Sequence, residues 1–174
     1  MVSQYLYLVL ILLTGAERTV ELVISKRHAD WAFAQGATET GKRHFPFMVA
    51  LHTGLLLACI AELFFGHRPF IPALGWPMLV LVLACQAGRY LVISTLGKQW
   101  NTRVIVVPGL TLVKRGIYRY VKHPNYAIVI VEGIALPLVH TAWITAIAFT
   151  VLNAVLLFGF RIPAENRALT KAVV

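Results

Sequence analysis

The chain has 174 residues, 59% of them hydrophobic, with a mean hydropathy of +0.74 and a formal net charge of +9. So much apolar residue, delivered in long blocks, cannot be hidden in the core of so short a water-soluble chain, which excludes a soluble globular domain. The Lys and Arg residues gather in two connecting segments and the tail, with no basic helix or aromatic RNA-binding motif, which excludes nucleic acid as the partner.

Crossing the hydrocarbon takes roughly 20 apolar residues in a helix. In chain order the predicted spans are 2–24, 47–65 and 73–96, and then an apolar stretch over 126–160 that is too long for one crossing. Leu136-Pro137-Leu138 with His140 and Thr141 divides it into a tight pair, 126–139 and 142–160, the first member short and tilted or buried in protein. No basic residue precedes the first apolar run and no small-residue cleavage site follows it, so it reads as a retained transmembrane helix rather than a signal peptide. Cys59 and Cys85 fall inside apolar segments and read as small buried hydrophobes, not as a disulfide framework or a metal site. The prediction is an all-α integral membrane protein of one domain, 1–174, with about five transmembrane helices.

Charge sets the orientation. Lys26, Arg27, Lys42 and Arg43 lie in the 25–45 connection. Lys98, Arg103, Lys114, Arg115, Arg119 and Lys122 lie in the 97–124 connection, and Arg161, Arg167 and Lys171 in the tail. Against these thirteen, the opposite loops carry only Arg68. The amino terminus is therefore expected outside and the carboxyl terminus in the cytoplasm.

Within the 97–124 connection, Val104–Val107, Pro108-Gly109 and Leu110–Val113 read as two short extended pieces about a turn. Gly116 closes them, a short helical lead-in covers Tyr118–Lys122, and Pro124 pushes His123 out of helical conformation while opening the next span. Four acids, Glu17, Glu21, Glu62 and Glu132, sit in apolar segments with Arg18, His52 and Arg89, where an unpaired charge costs about 2.5–3.5 kcal/mol. They either pin the bundle as internal ion pairs or line a substrate pocket.

The densest chemistry lies in Gly116-Ile117-Tyr118-Arg119-Tyr120-Val121-Lys122-His123-Pro124-Asn125-Tyr126 and Arg161-Ile162-Pro163-Ala164-Glu165-Asn166-Arg167. The first places aromatic, cationic and imidazole groups at a helix start, where backbone N–H groups are free. In the second, Arg161 and Glu165 can share a helical face, and Pro163 cannot donate to Gly159, so the helix should kink or restart. An apolar hairpin separates the two elements.

That arrangement resembles the isoprenylcysteine carboxyl methyltransferase family, over about residues 89–170, with Leu96-Gly97-Lys98-Gln99-Trp100 and Val107-Pro108-Gly109 similar to its run-in. Asn166 departs from the second Glu common there. The resemblance implies an S-adenosyl-L-methionine pocket formed by the cytosolic connection and the carboxyl-terminal helix. Its expected contacts are Arg103, Leu110, Thr111, Leu112, Val113, Tyr118, His123, Pro124, Asn125, Tyr126 and Glu165. Arg161 is expected at the methyl acceptor, and Arg161 with Glu165 as the catalytic pair. A carboxylate acceptor needs no general base, whereas a phenol or enol can use one. The expected partners are membrane lipids and a lipophilic small-molecule acceptor. Arg43-His44-Phe45-Pro46-Phe47-Met48-Val49-Ala50-Leu51-His52 is similar to a bacterial subgroup that O-methylates long-chain phenols or pyrones of polyketide type, which favours that acceptor over a prenylcysteine carboxylate. Two other classes stay open: a sterol-reductase-like NADPH-dependent oxidoreductase, which shares a related His-Pro element, and a membrane scaffold or transporter.

Overall fold

The computed structural model describes residues 2–111 and 113–172. In chain order it runs α1 (Val2–Ala34), β1 (Thr38–Thr40), α2 (Phe45–Phe65), α3 (Pro72–Leu96), β2 (Val104–Val106), α4 (Pro124–Leu138), α5 (Trp143–Leu156), a π-helical turn (Leu157–Arg161) and α6 (Ile162–Ala172).

Among the described residues, three helical stretches are long and apolar enough to cross a membrane: Lys42–Phe65, Pro72–Gln99 and Trp143–Ala168. α1 has the length, but Glu17, Arg18 and Glu21 interrupt its apolar run. It runs ten residues past the predicted end at 24, and its buried positions Tyr7, Ile11, Thr14, Glu21, Ser25, Ala29 and Ala32 follow one helical stripe. The inward face thus continues beyond the apolar block into a segment bearing Lys26, Arg27 and His28.

α4 is short. Its 15 residues reach about 22 Å, less than the roughly 30 Å of hydrocarbon. It packs between α3 and α5, and most of its side chains from Glu132 to Leu138 are buried. Protein covers most of its second half, while Ala127, Val131 and Ile134 stay exposed along one side. Gly133 and Gly88 permit this approach, because a β-carbon at Gly133 would lie 2.1 Å from Phe149 Cε1 and one at Gly88 3.2 Å from Ile128 Cδ1.

The apolar core, Tyr7, Ile11, Leu55, Cys59, Leu63, Val82, Leu136, Val139 and Phe149, occupies the end of the bundle near the α4–α5 turn. Glu62 belongs to this end. It accepts hydrogen bonds from Ile144 N–H (3.3 Å), Thr145 N–H (2.9 Å) and Thr145 Oγ1 (2.9 Å), and pairs with Arg68 at 3.0 Å. A carboxylate from α2 thereby satisfies the free donors at the start of α5. Cys59 and Cys85 are buried free thiols, as expected of them.

The opposite end corrects one expectation. Only Val104–Val106 of the two extended pieces is a strand, and its partner is sequence-distant: Thr38↔Val106, Glu39↔Ile105 and Thr40↔Val104 pair antiparallel. Pro108-Gly109 does make a turn, with Gly109 at φ +75°. Beyond it, residues 110–111 and 113 form no strand, and β2 pairs with β1 instead. The lead-in before α4 is a single 3₁₀ turn over Gly116–Arg119.

At Pro163 the helix restarts, one of the two expected outcomes. The π turn over Leu157–Arg161 precedes Ile162, where α6 restarts with Pro163 in its first turn. There the missing N–H is no loss.

Gly133→Ala should force its methyl into Phe149, an overpacking cost of roughly 1–3 kcal/mol, and so lower the melting temperature in detergent. Gly54→Ala, with nothing within 4 Å of the added carbon, should leave it level or slightly raised.

Candidate active site

The site is assembled from the ends of five segments. Past the predicted span, α1 delivers Ser25 and His28, which fix the chain after α3. His28 Nδ1–H donates to Trp100 O at 2.8 Å, Asn101 Nδ2 donates to Ser25 O at 2.9 Å, and Thr102 N–H to Ser25 Oγ at 3.1 Å. Arg103 N–H donates to Asn101 Oδ1 at 2.9 Å. The Arg103 guanidinium pairs with Glu39 at 3.7 Å and stacks 5.1 Å from the Phe45 ring, tying β1 to the start of α2.

Below these residues lies a cavity of about 740 Å³. Trp31, Leu96, Val104, Val106, Leu110 and Val113 give it apolar walls, and Lys98, Asn101, Arg103, Tyr118, His123 and Glu165 give it polar ones. Burial and the nearby Glu165 carboxylate push the Tyr118 phenol up to about 12, so it remains a neutral donor at physiological pH.

Arg161 and Glu165 were expected on one helical face. They are not a direct ion pair among the described residues: the Tyr126 hydroxyl joins them. Arg161 Nε donates to Tyr126 Oη at 3.1 Å, and Tyr126 Oη donates to Glu165 Oε2. Arg161 Nη2 donates to Thr102 O at 2.7 Å, so the loop held by α1 also holds the guanidinium. The His123 ring stacks on Tyr126 at 5.3 Å, with Nδ1 3.7 Å from Glu165 Oε1. His123 sits at φ −128°, ψ 62°, outside helical conformation, as the following proline requires.

A second cavity, of about 300 Å³, lies deeper in the bundle. Gly15, Leu22, Met48, Val49, Leu56 and Val129 line it beside the polar Arg18, Glu21, His52 and Arg89. Trp100, Asn125, Tyr126 and Arg161 line both cavities.

The charges between α1, α3 and α4 pair among themselves. Arg89 pairs with Glu132 through Nη2 and stands 3.4 Å from Glu21 through Nε, without hydrogen-bond alignment. Arg18 reaches Glu21 at 2.9 Å, Glu132 at 3.3 Å and Glu17 at 3.4 Å, and donates to Gln86 at 3.1 Å. Arg89 Nη1 donates to Asn125 Oδ1 at 3.3 Å, joining this cluster to the wall shared by the two cavities. Internal pairing and a place on a pocket wall therefore hold together here.

Of the site residues expected from sequence, Arg103, Leu110, Val113, Tyr118, His123, Asn125, Tyr126, Arg161 and Glu165 line the larger cavity. Thr111 and Pro124 do not; Pro124 is buried as the first residue of α4. Leu112 lies outside the described residues. His28, Trp31 and Asn101 escaped the sequence reading, whereas Arg18, Glu21, His52 and Arg89 of the deeper cavity were marked there as either ion pairs or pocket-lining groups. Only the stripe through Glu21, Ser25, Ala29 and Ala32 signalled that α1 stays packed that far.

Residues 78–171 match the isoprenylcysteine carboxyl methyltransferase family. The chain belongs to that family. The match begins eleven residues before the resemblance marked from position 89, inside α3. Membership makes the protein a membrane methyltransferase, and members of the family use S-adenosylmethionine. The chain is similar to an uncharacterized protein, YpbQ, of Bacillus subtilis (strain 168), 37% identical over 165 residues covering 94% of this chain and 96% of that one. It is also similar to an uncharacterized protein of Haemophilus influenzae (strain ATCC 51907 / DSM 11121 / KW20 / Rd), 29% identical over 156 residues covering 89% and 90%.

Arg89→Ala should leave Glu21 and Glu132 buried with only Arg18 between them. Removing one partner of such a pair typically costs about 3–5 kcal/mol, so this variant should lose folded yield and melt well below the wild type. Glu17→Gln, at the half-exposed edge of the cluster, should melt near the wild-type temperature.

Proposed function

We propose that this chain is an S-adenosylmethionine-dependent O-methyltransferase whose acceptor is a long-chain phenol or pyrone of polyketide type. One observation carries the reading: Arg161 and Tyr126 stand on the wall common to a larger cavity of mixed lining and a second one with an apolar side of Leu22, Phe45, Met48, Val49, Leu56 and Val129. Two substrates would meet there.

The larger cavity fits the cofactor by its donor set. The cofactor's ammonium, carboxylate and adenine call for a carboxylate, cationic or amide donors and apolar walls. Glu165, Lys98, Arg103, Asn101, Tyr118 and the valines answer in kind. When bound, S-adenosylmethionine supplies an electrophilic methyl group. The residues of the chain then align and exclude water. Hydrogen bonds from Arg161 use Nε and Nη2, which leaves Nη1 to meet an acceptor oxygen.

The polyketide-type acceptor is favoured because Phe45, Met48, Val49 and His52 line the deeper cavity, and they belong to the segment similar to the phenol- and pyrone-methylating subgroup. In our reading α1 to α5 are five spans, with the amino terminus outside and the site at the cytoplasmic face of a bacterial inner membrane. The charge asymmetry of the loops supports that orientation.

S-adenosylhomocysteine should raise the melting temperature of the protein, and radiolabelled methyl should pass to an alkylresorcinol or alkylpyrone in preference to a prenylcysteine. Absence of both would remove the reading. Glu165→Ala should weaken S-adenosylhomocysteine binding in a protein that remains folded. Arg161→Lys keeps the charge but cannot reach Thr102, Tyr126 and an acceptor oxygen together. Transfer should fall roughly 30- to 1,000-fold with cofactor affinity little changed. For the orientation, cysteines placed near Arg115 and Lys42 should label from the cytoplasm and those near Arg68 from outside. Labelling of positions near Arg68 and Arg115 from one side would overturn it.

A further inference from the structure

A phenolic acceptor brings a proton that must leave. On the reading of a phenol methyltransferase given above, some group has to take the hydroxyl proton as the oxygen attacks, because a neutral phenol is a weak nucleophile. The deeper cavity offers three titratable candidates, and the geometry separates them.

His52 has its Nδ1–H committed to Met48 O at 2.8 Å, so Nε2 carries the lone pair. Its ring lies edge-on to Phe149 at 5.3 Å, with no hydrogen bond to Arg161 or to any group that opens on the larger cavity. Glu21 is bound up with Arg18 and Arg89. Tyr126 is placed differently. It lines both cavities, accepts from Arg161 Nε and donates to Glu165 Oε2, which leaves one lone pair of Oη unused. Glu165 Oε1 in turn stands 3.7 Å from His123 Nδ1, and both residues line the larger, cytosolic cavity.

We propose that Tyr126 relays the acceptor's proton to Glu165, making the Arg161–Tyr126–Glu165 chain a device for phenols rather than for acids that arrive ionised. The acceptor O–H donates to the free lone pair of Tyr126 Oη. As the oxygen–methyl bond forms, the acceptor proton passes to Tyr126 Oη and the original Tyr126 proton passes to Glu165 Oε2. The electron pair of the breaking methyl–sulfur bond stays on sulfur. A sulfonium, a phenol and a carboxylate become a thioether, a methyl ether and a carboxylic acid, with total charge unchanged. Glu165 then returns its proton to water by way of His123. Arg161, donating to both Tyr126 and the acceptor oxygen, holds the two oxygens side by side throughout.

Two acceptors with the same alkyl tail test this: a resorcinol, whose hydroxyl is neutral at pH 7 with a pKa of about 10, and a 4-hydroxy-2-pyrone, largely ionised at that pH. Tyr126→Phe keeps the ring against His123 and removes only the hydroxyl. Transfer to the resorcinol should fall about 10²- to 10⁴-fold, and transfer to the pyrone less than about tenfold. The variant's rate on the resorcinol should climb about tenfold per pH unit from 7 to 9, following the ionised fraction, while the wild type changes far less. Apart from turnover, with S-adenosylhomocysteine in place, the variant should bind the resorcinol about five- to tenfold more weakly, one hydrogen bond's worth. Its affinity for S-adenosylhomocysteine itself should move far less.

Equal losses on the two acceptors, or a parallel pH profile in both proteins, would overturn the relay and leave Tyr126 a positioning residue. Wild-type transfer to the pyrone but not the resorcinol would overturn the relay and leave the methyltransferase standing. Failure of the wild type to bind S-adenosylhomocysteine or to methylate either acceptor would remove both. Should the variant not fold, the wild type alone decides: slower transfer to the resorcinol in D₂O, with no such effect on the pyrone, supports the relay, and no difference between the two overturns it.

Discussion

A charged side chain in the interior of a membrane helix bundle has to find its counterpart there, and that requirement organises this protein. Arg18, Glu21, Arg89 and Glu132 come from α1, α3 and α4, and no two of those helices can shift past each other without leaving a charge unpaired in low dielectric. Apolar packing alone fixes helix positions loosely, because lipid is as good an apolar neighbour as another helix. The ion pairs supply the register. Through Arg89 Nη1 they also reach Asn125, in the first turn of α4, and so set the height at which the site's central helix begins.

From that fixed start the remaining contacts follow in sequence. Tyr126 sits one residue beyond Asn125 and meets Arg161 and Glu165 from the other end of the α4–α5 hairpin. The hairpin is clamped at its far side, where Glu62 and Arg68 hold the beginning of α5. Both ends of the hairpin are therefore tied by polar contacts to helices that do not belong to it. The loop over Trp100–Arg103, held by Ser25 and His28 of α1, closes the remaining side and gives Arg161 its second acceptor in Thr102 O.

Much of this was legible in the residues, and the parts that were not share a cause. Long apolar runs set the helices, Pro124 set the start of α4, and the His-Pro and Arg-x-x-x-Glu elements marked six of the nine expected lining residues of the cavity. These are local signals, each carried by a few adjacent positions. What escaped depended on partners far away in sequence. The strand Val104–Val106 looked able to fold back on 110–113, but its edge goes to Thr38–Thr40, more than sixty residues earlier. The last ten residues of α1 read as a polar loop, because hydropathy registers Lys26 and Arg27 but not that Ser25 and His28 face a loop that caps them. Arg161 and Glu165 suggested an ion pair by their spacing, and nothing in that spacing announces a tyrosine between them. The α6 side of the site depends on a change of helical pitch that no residue type encodes by itself.

The π turn over Leu157–Arg161 sets the angular phase between α5 and α6. Each residue in an α-helix advances the chain by about 100°, and the wider turn absorbs one residue without passing that rotation on. The five positions therefore work as a phase adjuster. Upstream of them, residues face α2 and α4 on a schedule set by the apolar core; downstream, Ala164 and Ala168 are buried and Glu165 faces Tyr126 on a different schedule. If the same five residues closed into an unbroken α-helix, that helix would be better bonded and still able to cross the membrane. Its carboxylate would then point about a quarter-turn away from the hydroxyl it serves. The irregular segment is thus the place where a change of helical pitch alone, with no residue gained or lost, separates the ability to insert from the ability to react.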